Sequence, residues 1–131
     1  MPFPIVKLSL LIITALIAVP SIAQVKDIEL TEGTCVSTKI SKIGHRLEGN
    51  DDFSRQSGSA VTFANGVFLV SYKESKVVRA AKVGDGVLLC PVTTQQGCRA
   101  TSAPTRTILM MHRKTSNFWT AYTSSHSCDG A

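Results

Sequence analysis

Four cysteines are the residues of this chain whose chemistry can be read most directly from their spacing. Seven residues separate Cys90 from Cys98, while Cys35 and Cys128 lie further out on either side. Structural zinc sites usually combine two short Cys/His pairs, and neither Cys90-x7-Cys98 nor His126-x-Cys128 has that spacing. The chain also lacks the C-x-x-C motif of redox pairs. We therefore predict that all four cysteines form disulfides.

The pairing of these cysteines cannot be fixed by their number, because four cysteines allow three pairings. We predict Cys90–Cys98, which are close in sequence, and Cys35–Cys128, which would join the two ends of a domain. Pro91 follows the first of these cysteines, and proline cannot donate to a β-ladder. We therefore expect the small ring to lie at an edge, where a strand leaves its sheet.

The C-terminal residues His126, Ser127, Cys128 and Asp129 include the side-chain types that a hydrolase uses. Catalysis needs a nucleophile held by a base and an acid that orients the base. The chain shows no nucleophile-elbow motif that would position such a group. We predict no catalytic residue, and a small hydrolase using His126 or His112 is the least favoured reading.

A polar loop at residues 48–59 contains the neighbouring acidic residues Asp51 and Asp52. An EF-hand calcium loop needs ligands at alternating positions that end on a glutamate, and this loop lacks that pattern. We predict no metal and no cofactor. Because binding residues often lie on loops of a rigid scaffold, Asp51, Asp52 and Phe53 are candidates for contact with a partner.

An aromatic segment near the C-terminus supplies the other candidate contact. In a strand, Phe118 and Tyr122 would share one face, and Trp119 would point to the opposite face. Burial in the core is the default for both sets. The alternative is an exposed aromatic contact beside Arg113 and Lys114, for which Trp119 is our candidate.

The first residues predict the compartment. Lys7 precedes a long apolar stretch that ends at small residues, which is typical of a secretory signal peptide spanning residues 1–23. The stretch is too short for a transmembrane anchor. Removing it takes one positive charge from the formal net charge of +5. We predict a periplasmic or secreted protein, whose scattered basic residues do not indicate specific nucleic-acid binding.

Short strand-like segments with regular turns predict an all-β fold, a small antiparallel sandwich or barrel. Residues 24–33 are expected to be a loose arm and residues 34–131 one disulfide-stapled domain, monomeric or weakly associating. Asn65-Gly66 indicates a two-residue type I′ hairpin turn that pairs Phe63 with Phe68. A second hairpin is predicted over 106–123, and residues 73–82 are predicted to cross over as a short helix or irregular segment.

Three segments carry a resemblance: G-S-A-V-T-F-A-N-G, V-G-D-G-V-L-L-C and the terminal W-T-A-Y-T-S-S-H-S-C-D-G-A. Together they resemble a set of small, functionally uncharacterised exported proteins of Gram-negative bacteria. The chain departs from that set at Asp129, where a glycine is usual, and lacks its acidic glycine-rich loop. The resemblance implies the extent of the domain and its cysteines, and no activity.

We therefore expect an exported, non-enzymatic binding module for an unidentified protein or anionic envelope component. An inhibitor of an envelope or host enzyme is one form of this hypothesis, and it rests on small size, export, β-structure and disulfides. The alternative is an envelope-associated stress protein that binds anionic surfaces through its basic residues.

Overall fold

Six strands and two five-residue helices follow one another in the computed structural model, which describes residues 30–49, 51–97 and 104–126. In chain order the elements are β1 (Val36–His45), α1 (Asp52–Gln56), β2 (Ser59–Phe63), β3 (Phe68–Val70), α2 (Lys76–Ala80), β4 (Gly86–Thr94), β5 (Arg106–His112) and β6 (Phe118–Tyr122). The strands form a closed barrel in the order β1-β2-β3-β6-β5-β4. The predicted all-β class is confirmed, and of the two predicted architectures the fold is the barrel.

The long first strand closes the barrel by changing its partner midway. Residues 36–39 of β1 pair with β4, whereas Ile40 and the residues after it pair with β2. The register shifts between Ile40 and Lys42, and the Ser41 hydroxyl in between donates to the Thr62 carbonyl at 2.9 Å. Such irregularities bend a strand and increase its twist, so β1 can serve both sides of the closing seam.

Successive side chains of a strand point to opposite faces, so every second residue of each strand faces the barrel interior. The buried core consists of Ile40, Val61, Phe63, Val67, Leu69, Val78, Val87, Leu89, Ile108, Met110, Trp119 and Ala121. Met110 lies opposite Trp119 across β5 and β6, and both point inward. Val78 comes from α2, so that short helix packs against the core.

The first hairpin forms where it was predicted, but its strands are one residue out of the predicted register. Phe68 lies opposite Thr62 rather than Phe63, and the Phe63 N–H donates to the Val67 carbonyl at 2.9 Å. A slip of one residue moves every β3 side chain to the opposite face. Phe68 therefore points outward, and Leu69 fills the interior in its place.

The turn residues explain this register. Gly66 has a φ of +85°, and Asn65 is not among the residues with positive φ. The Asn65 Oδ1 instead accepts a hydrogen bond from the Val67 N–H at 3.2 Å. A three-residue loop with glycine in the left-handed region is the other common hairpin connection. The Asn-Gly dipeptide thus identified the hairpin, while the predicted type I′ turn, which needs two positive φ values, is wrong.

The other local predictions can be compared directly. The second hairpin is confirmed by β5 and β6, and the predicted short helical crossover over 73–82 is confirmed by α2. The segment 48–59, predicted as a loop, contains the helix α1 and the first residue of β2. Asp51 caps the N-terminus of α1, because its carboxylate accepts from the Ser54 N–H at 2.7 Å and so satisfies a free donor of the first helical turn.

The predicted disulfide pairing is wrong. Cys35 is bonded to Cys90 across 55 residues of sequence, which excludes the predicted Cys90–Cys98 bond and the predicted partner of Cys35. The reason lies in the closing seam, where Val36 of β1 is opposite Leu89 of β4. The next position on the same ladder brings the two cysteines face to face. Spacing along the chain could not reveal this pair, because barrel closure creates it.

Pro91 does not end its strand, but residues 91–94 do lie at an edge, because β4 pairs with β1 only as far as Leu89. The strand β4 continues to Thr94, and Pro91 lies opposite Ile108 of β5. The Pro91 carbonyl accepts from the Gly33 N–H at 3.1 Å, on the side where β1 has not yet begun. The missing N–H of proline therefore falls outside the β1–β4 ladder. An irregularity between Pro91 and Thr93 follows immediately.

Several predictions fall outside the described residues. These are the signal peptide at 1–23 and the residues Cys98, Ser127, Cys128 and Asp129. Of the predicted arm, residues 30–33 are described, and Leu30 is partly buried against the core. In the ranges that the structure covers, neither helix has the length and apolar character needed to cross a membrane.

Candidate functional site

The aromatic residues of β6 lie on both faces of the strand. The exposed face is not the one that carries Trp119, the residue predicted to contact a partner. Trp119 points into the barrel and is 7% exposed, so its assignment as a partner contact is corrected to a core role. Its strand neighbour Phe118 points outward and is 66% exposed, while Tyr122, on the same face, is 38% exposed. The outward aromatic set is therefore Phe118 and Tyr122.

Arg113 and Lys114 lie in the exposed turn between β5 and β6. The Arg113 guanidinium donates to the Ser37 hydroxyl at 3.1 Å, which ties the turn to β1. Both side chains are exposed. Trp119, which was to accompany them, faces the other side of the sheet.

The predicted contacts Asp51, Asp52 and Phe53 lie at the start of α1. The hydrogen bond from the Ser54 backbone N–H, followed by one from its hydroxyl, lowers the pKa of Asp51. Asp52 forms an ion pair with Arg55 at 2.6 Å. Both carboxylates therefore have partners within α1, and the neighbouring Phe53 side chain is 71% exposed.

His112 is the last residue of β5, and its side chain is buried on the side of α2. Both of its ring nitrogens have partners. Its Nδ1 accepts from the Thr115 N–H at 3.3 Å, and its Nε2 donates to the Asp85 carboxylate at 2.9 Å. This hydrogen bond, then the Lys82 backbone N–H, lowers the pKa of Asp85. Neither nitrogen of the His112 ring is left to activate a nucleophile, and the arrangement fixes the turn that precedes β4.

The other two histidines are held apart from one another. His45 ends β1 and pairs with Ser59 of β2. His126 lies beyond β6, where its carbonyl accepts from the Thr105 hydroxyl at 2.7 Å. Within the described ranges, no group of three or more His, Cys, Asp or Glu residues is placed to hold a metal ion.

A cavity of 310 Å³ opens on the outside of the barrel near the ends of β4, β5 and β6. We call it the tyrosine cavity, and its lining consists of Tyr72, Thr93, Thr94, Gln95, Thr105, Thr107, Tyr122, Ser124 and His126. Cavities that bind small molecules usually hold about 300–1,000 Å³, so this one lies at the small end of that range. It is lined by aromatic rings and by short hydroxyl-bearing side chains.

Cross-strand pairing places the two tyrosines together. Tyr122 lies opposite Val70 in the short β3–β6 ladder, and Tyr72 follows Val70 by two residues, so both rings project on the outer side. Their centroids are 6.5 Å apart with a tilt of 57°. The Arg46 guanidinium lies 4.9 Å from the centroid of the Tyr72 ring. The Tyr72 hydroxyl donates to the Ser125 carbonyl, so the ring is fixed by the backbone at Cα and by this hydrogen bond at its hydroxyl.

A second hollow of 290 Å³ lies beside the tyrosine cavity on the outer face of β1, β2 and β3. We call it the glycine groove, and its lining consists of Lys42, Gly44, His45, Arg46, Leu47, Glu48, Gly49, Ala60, Thr62 and Phe68. Gly44 lies opposite Ala60 and Ala60 opposite Val70, so small side chains form its floor. This groove is lined by charged residues, including the ion pair Lys42–Glu48 at 3.6 Å.

Sequence reasoning missed the tyrosine cavity. It considered Tyr122 only with Phe118 as one face of a strand, and it did not name Tyr72 as a candidate contact. The signal that could have identified the site is composition, because the chain has only two tyrosines. Their meeting depends on the pairing of β3 with β6, which no local pattern predicts.

Comparisons with known proteins give no match: no protein-family model, no curated protein and no solved structure is similar to this chain.

Proposed function

We propose that this chain is an exported, non-enzymatic binding domain that holds its ligand at the tyrosine cavity. The supporting observation is the exposed pair of rings, 56% at Tyr72 and 38% at Tyr122, at the mouth of a hollow. Aromatic side chains left in water at a concave surface are a typical feature of recognition sites. Export is supported by the disulfide Cys35–Cys90, since such bonds persist mainly in oxidising compartments.

The rigidity of Tyr72 also supports binding. Its hydroxyl is engaged by the Ser125 carbonyl, and Arg46 packs over its ring. A side chain that is already fixed loses little conformational entropy when a ligand stacks on it. The ring is therefore organised for contact before any ligand arrives.

The test is retention of the oxidised chain on insoluble envelope material and on host secretions, compared with Tyr72→Ala and Tyr122→Ala. We expect each variant to lose about tenfold in affinity, the scale of one lost aromatic contact. Phe118→Ala is the matched control, because Phe118 is an exposed aromatic residue on the same face of β6 outside the cavity. The bound ligand should be recovered chemically unchanged. Equal retention of all variants, or conversion of the ligand, contradicts the proposal.

A second candidate is inhibition of an enzyme through the tip of α1. Phe53 is 71% exposed, and the hydrogen bond between the Arg46 Nε and the Ser57 carbonyl, at 2.7 Å, ties this segment to β1. A rigid protruding aromatic side chain suits insertion into a cleft. Inhibition of a lysozyme or protease that Phe53→Ala abolishes, and that Tyr122→Ala leaves intact, would favour this candidate over the first.

The anionic-surface alternative is tested by salt. Attraction between exposed charges weakens as ionic strength rises, so retention through Arg113, Lys114 and the other surface cations would fall in high salt. Retention at the tyrosine cavity is expected to change little, because none of the described residues that line it is a lysine, arginine, aspartate or glutamate.

A further inference from the structure

We infer that the ligand of the tyrosine cavity is an uncharged saccharide, bound through one or two of its sugar units. The inference rests on the proposed function and names the ligand class. It is drawn from three properties of the residues that the structure describes around the cavity: their aromatic rings, their unpartnered hydroxyls and their lack of charge.

The first property is the pair of rings. A pyranose ring presents a face of C–H groups whose partial positive charge suits the negative face of an aromatic ring. Tyr72 and Tyr122 meet at 57° with centroids 6.5 Å apart, so they form two differently inclined surfaces rather than one stack. Such an angle suits a bent, non-planar ligand better than a flat aromatic one.

The second property is the supply of hydroxyl groups. In the ranges that the structure describes, no hydrogen bond engages the side-chain hydroxyls of Thr93, Thr94, Thr107 or Tyr122, all of which line the cavity. A hydroxyl both donates and accepts, as does each hydroxyl of a sugar. Threonine side chains are also stiff, so they can form such bonds with little loss of rotamer freedom.

The strand geometry explains why these hydroxyls converge. Thr93 lies opposite Thr107, and Thr107 lies opposite Tyr122, across three adjacent strands. Adjacent strands are about 4.8 Å apart. The row therefore places these three hydroxyl-bearing residues side by side across the outside of the barrel, perpendicular to the strands.

The third property is the absence of charge among the described lining residues. None of them is a lysine, arginine, aspartate or glutamate. Arg106 lies between Thr105 and Thr107 and opposite Thr94, but it is not among the described lining residues. The Arg46 guanidinium lies over the Tyr72 ring, and it also donates to the Ser57 carbonyl. Among these described lining residues, a phosphate, uronate or acidic peptide would find no lysine or arginine to pair with.

The experiment titrates the full oxidised chain with uncharged probes, namely chitotriose, cellotriose and maltotriose, and with an oligogalacturonate of similar length. Calorimetry and amide chemical shifts give affinity and location. We expect at least one uncharged probe to bind with shifts centred on Tyr72 and Tyr122, and its affinity to stay within about twofold when salt is raised.

Three variants locate the interaction. We expect Tyr122→Ala to weaken binding about tenfold. Thr107→Val, which keeps the shape of the side chain and removes the hydroxyl, should weaken it severalfold. Phe118→Ala should leave affinity unchanged, since Phe118 lies outside the cavity.

The outcomes separate the inference from the proposed function. If the oligogalacturonate or a protein binds in a tyrosine-dependent manner and no uncharged probe does, the saccharide inference is overturned and the binding function stands. If an uncharged probe binds equally to wild type and Tyr122→Ala, the site is wrong. If no ligand at all depends on the tyrosines, both proposals fail.

Discussion

Asp85 accepts hydrogen bonds from the His112 ring and from the Lys82 backbone N–H, at 2.9 and 2.8 Å. Both donors favour the carboxylate, and they lower the pKa of Asp85 below its ordinary value of 3.8. A carboxyl whose pKa is lowered on folding binds fewer protons in the native state than in the unfolded state. Its contribution to stability is therefore complete above the unfolded-state pKa and is lost as pH falls through the lower native value.

Asp85→Asn should accordingly lower the melting temperature at neutral pH and make it fall less steeply in the acid range, because the variant has no charge to lose. Thermal melts followed by Trp119 fluorescence from neutral to acid pH measure both effects. Asp52→Asn is the control, since it removes an exposed carboxylate that pairs with Arg55. Parallel curves for wild type and Asp85→Asn would show that the His112 contact contributes nothing to acid sensitivity.

Gly58 occupies the most restrictive backbone position of the chain's described glycines. Its φ is +122°, and a Cβ there would lie 1.9 Å from the Ser71 carbonyl oxygen. Backbone atoms cannot move aside cheaply, so Gly58→Ala should cost about 2 kcal/mol or more in the free energy of unfolding. Urea denaturation measures the loss.

Gly44→Ala provides the matched control, because a Cβ at Gly44 would meet nothing within 4 Å. Alanine in a strand costs less backbone entropy than glycine, so we expect a change within about 1 kcal/mol, in the stabilising direction. Similar losses for both substitutions would mean that the close approach at Gly58 does not constrain the fold.

At the scale of elements, the disulfide stabilises the seam between β1 and β4. Cys35 and Cys90 occupy the ladder position next to Val36 and Leu89, where the closing strands meet. In the chain-entropy account a bond across 55 residues restricts the unfolded chain strongly. The bond therefore acts on the long-range pairing that local signals do not supply.

We expect the double substitution Cys35→Ser and Cys90→Ser to cost about 2–4 kcal/mol in the free energy of unfolding. Urea denaturation gives the magnitude, and amide hydrogen exchange shows where the barrel opens. Exchange should accelerate most for residues 36–39 of β1 and least in the β5–β6 hairpin. Uniform acceleration in both regions would argue that the bond does not act at the seam.

Local sequence signals predicted the elements better than their alignment. Alternation in β6 correctly separated Trp119 from Phe118, and Asn65-Gly66 correctly located a turn. The dipeptide could not distinguish a two-residue from a three-residue loop, because Gly66 alone can supply the left-handed residue that the longer loop needs. A shift of one residue then exchanged Phe68 and Leu69 between surface and core.

At the scale of the molecule, the sequence limited the fold to a sandwich or a barrel but could not choose between them. The choice depends on β1 pairing with β4 and on β3 pairing with β6, which bring together segments far apart in sequence. The same long-range pairings create the disulfide and assemble the tyrosine cavity from β3, β4, β5 and β6. Fold class was therefore predictable from local pattern, whereas the site and the cysteine pairing were not.

If the protein has two disulfides, as predicted, the partners in the second one follow from the first. With Cys35 bonded to Cys90, Cys98 and Cys128 are the remaining cysteines of the chain. The described segments that lead toward them are adjacent, since Gln95 and His126 line the same cavity. We expect peptide mapping of the oxidised protein by mass spectrometry to find a Cys98–Cys128 cross-link beside Cys35–Cys90. Free thiols at both remaining positions would limit the protein to a single disulfide.

The sorting of aromatic residues between the two sides of the barrel has a practical consequence. The chain contains one tryptophan and two tyrosines. The tryptophan lies in the core, and both tyrosines lie at the candidate site. Replacement of tyrosine by 3-fluorotyrosine would thus give two fluorine resonances that both report on ligand contact, while selectively excited indole emission reports on unfolding. Occupancy of the site and integrity of the fold can be followed separately in one sample.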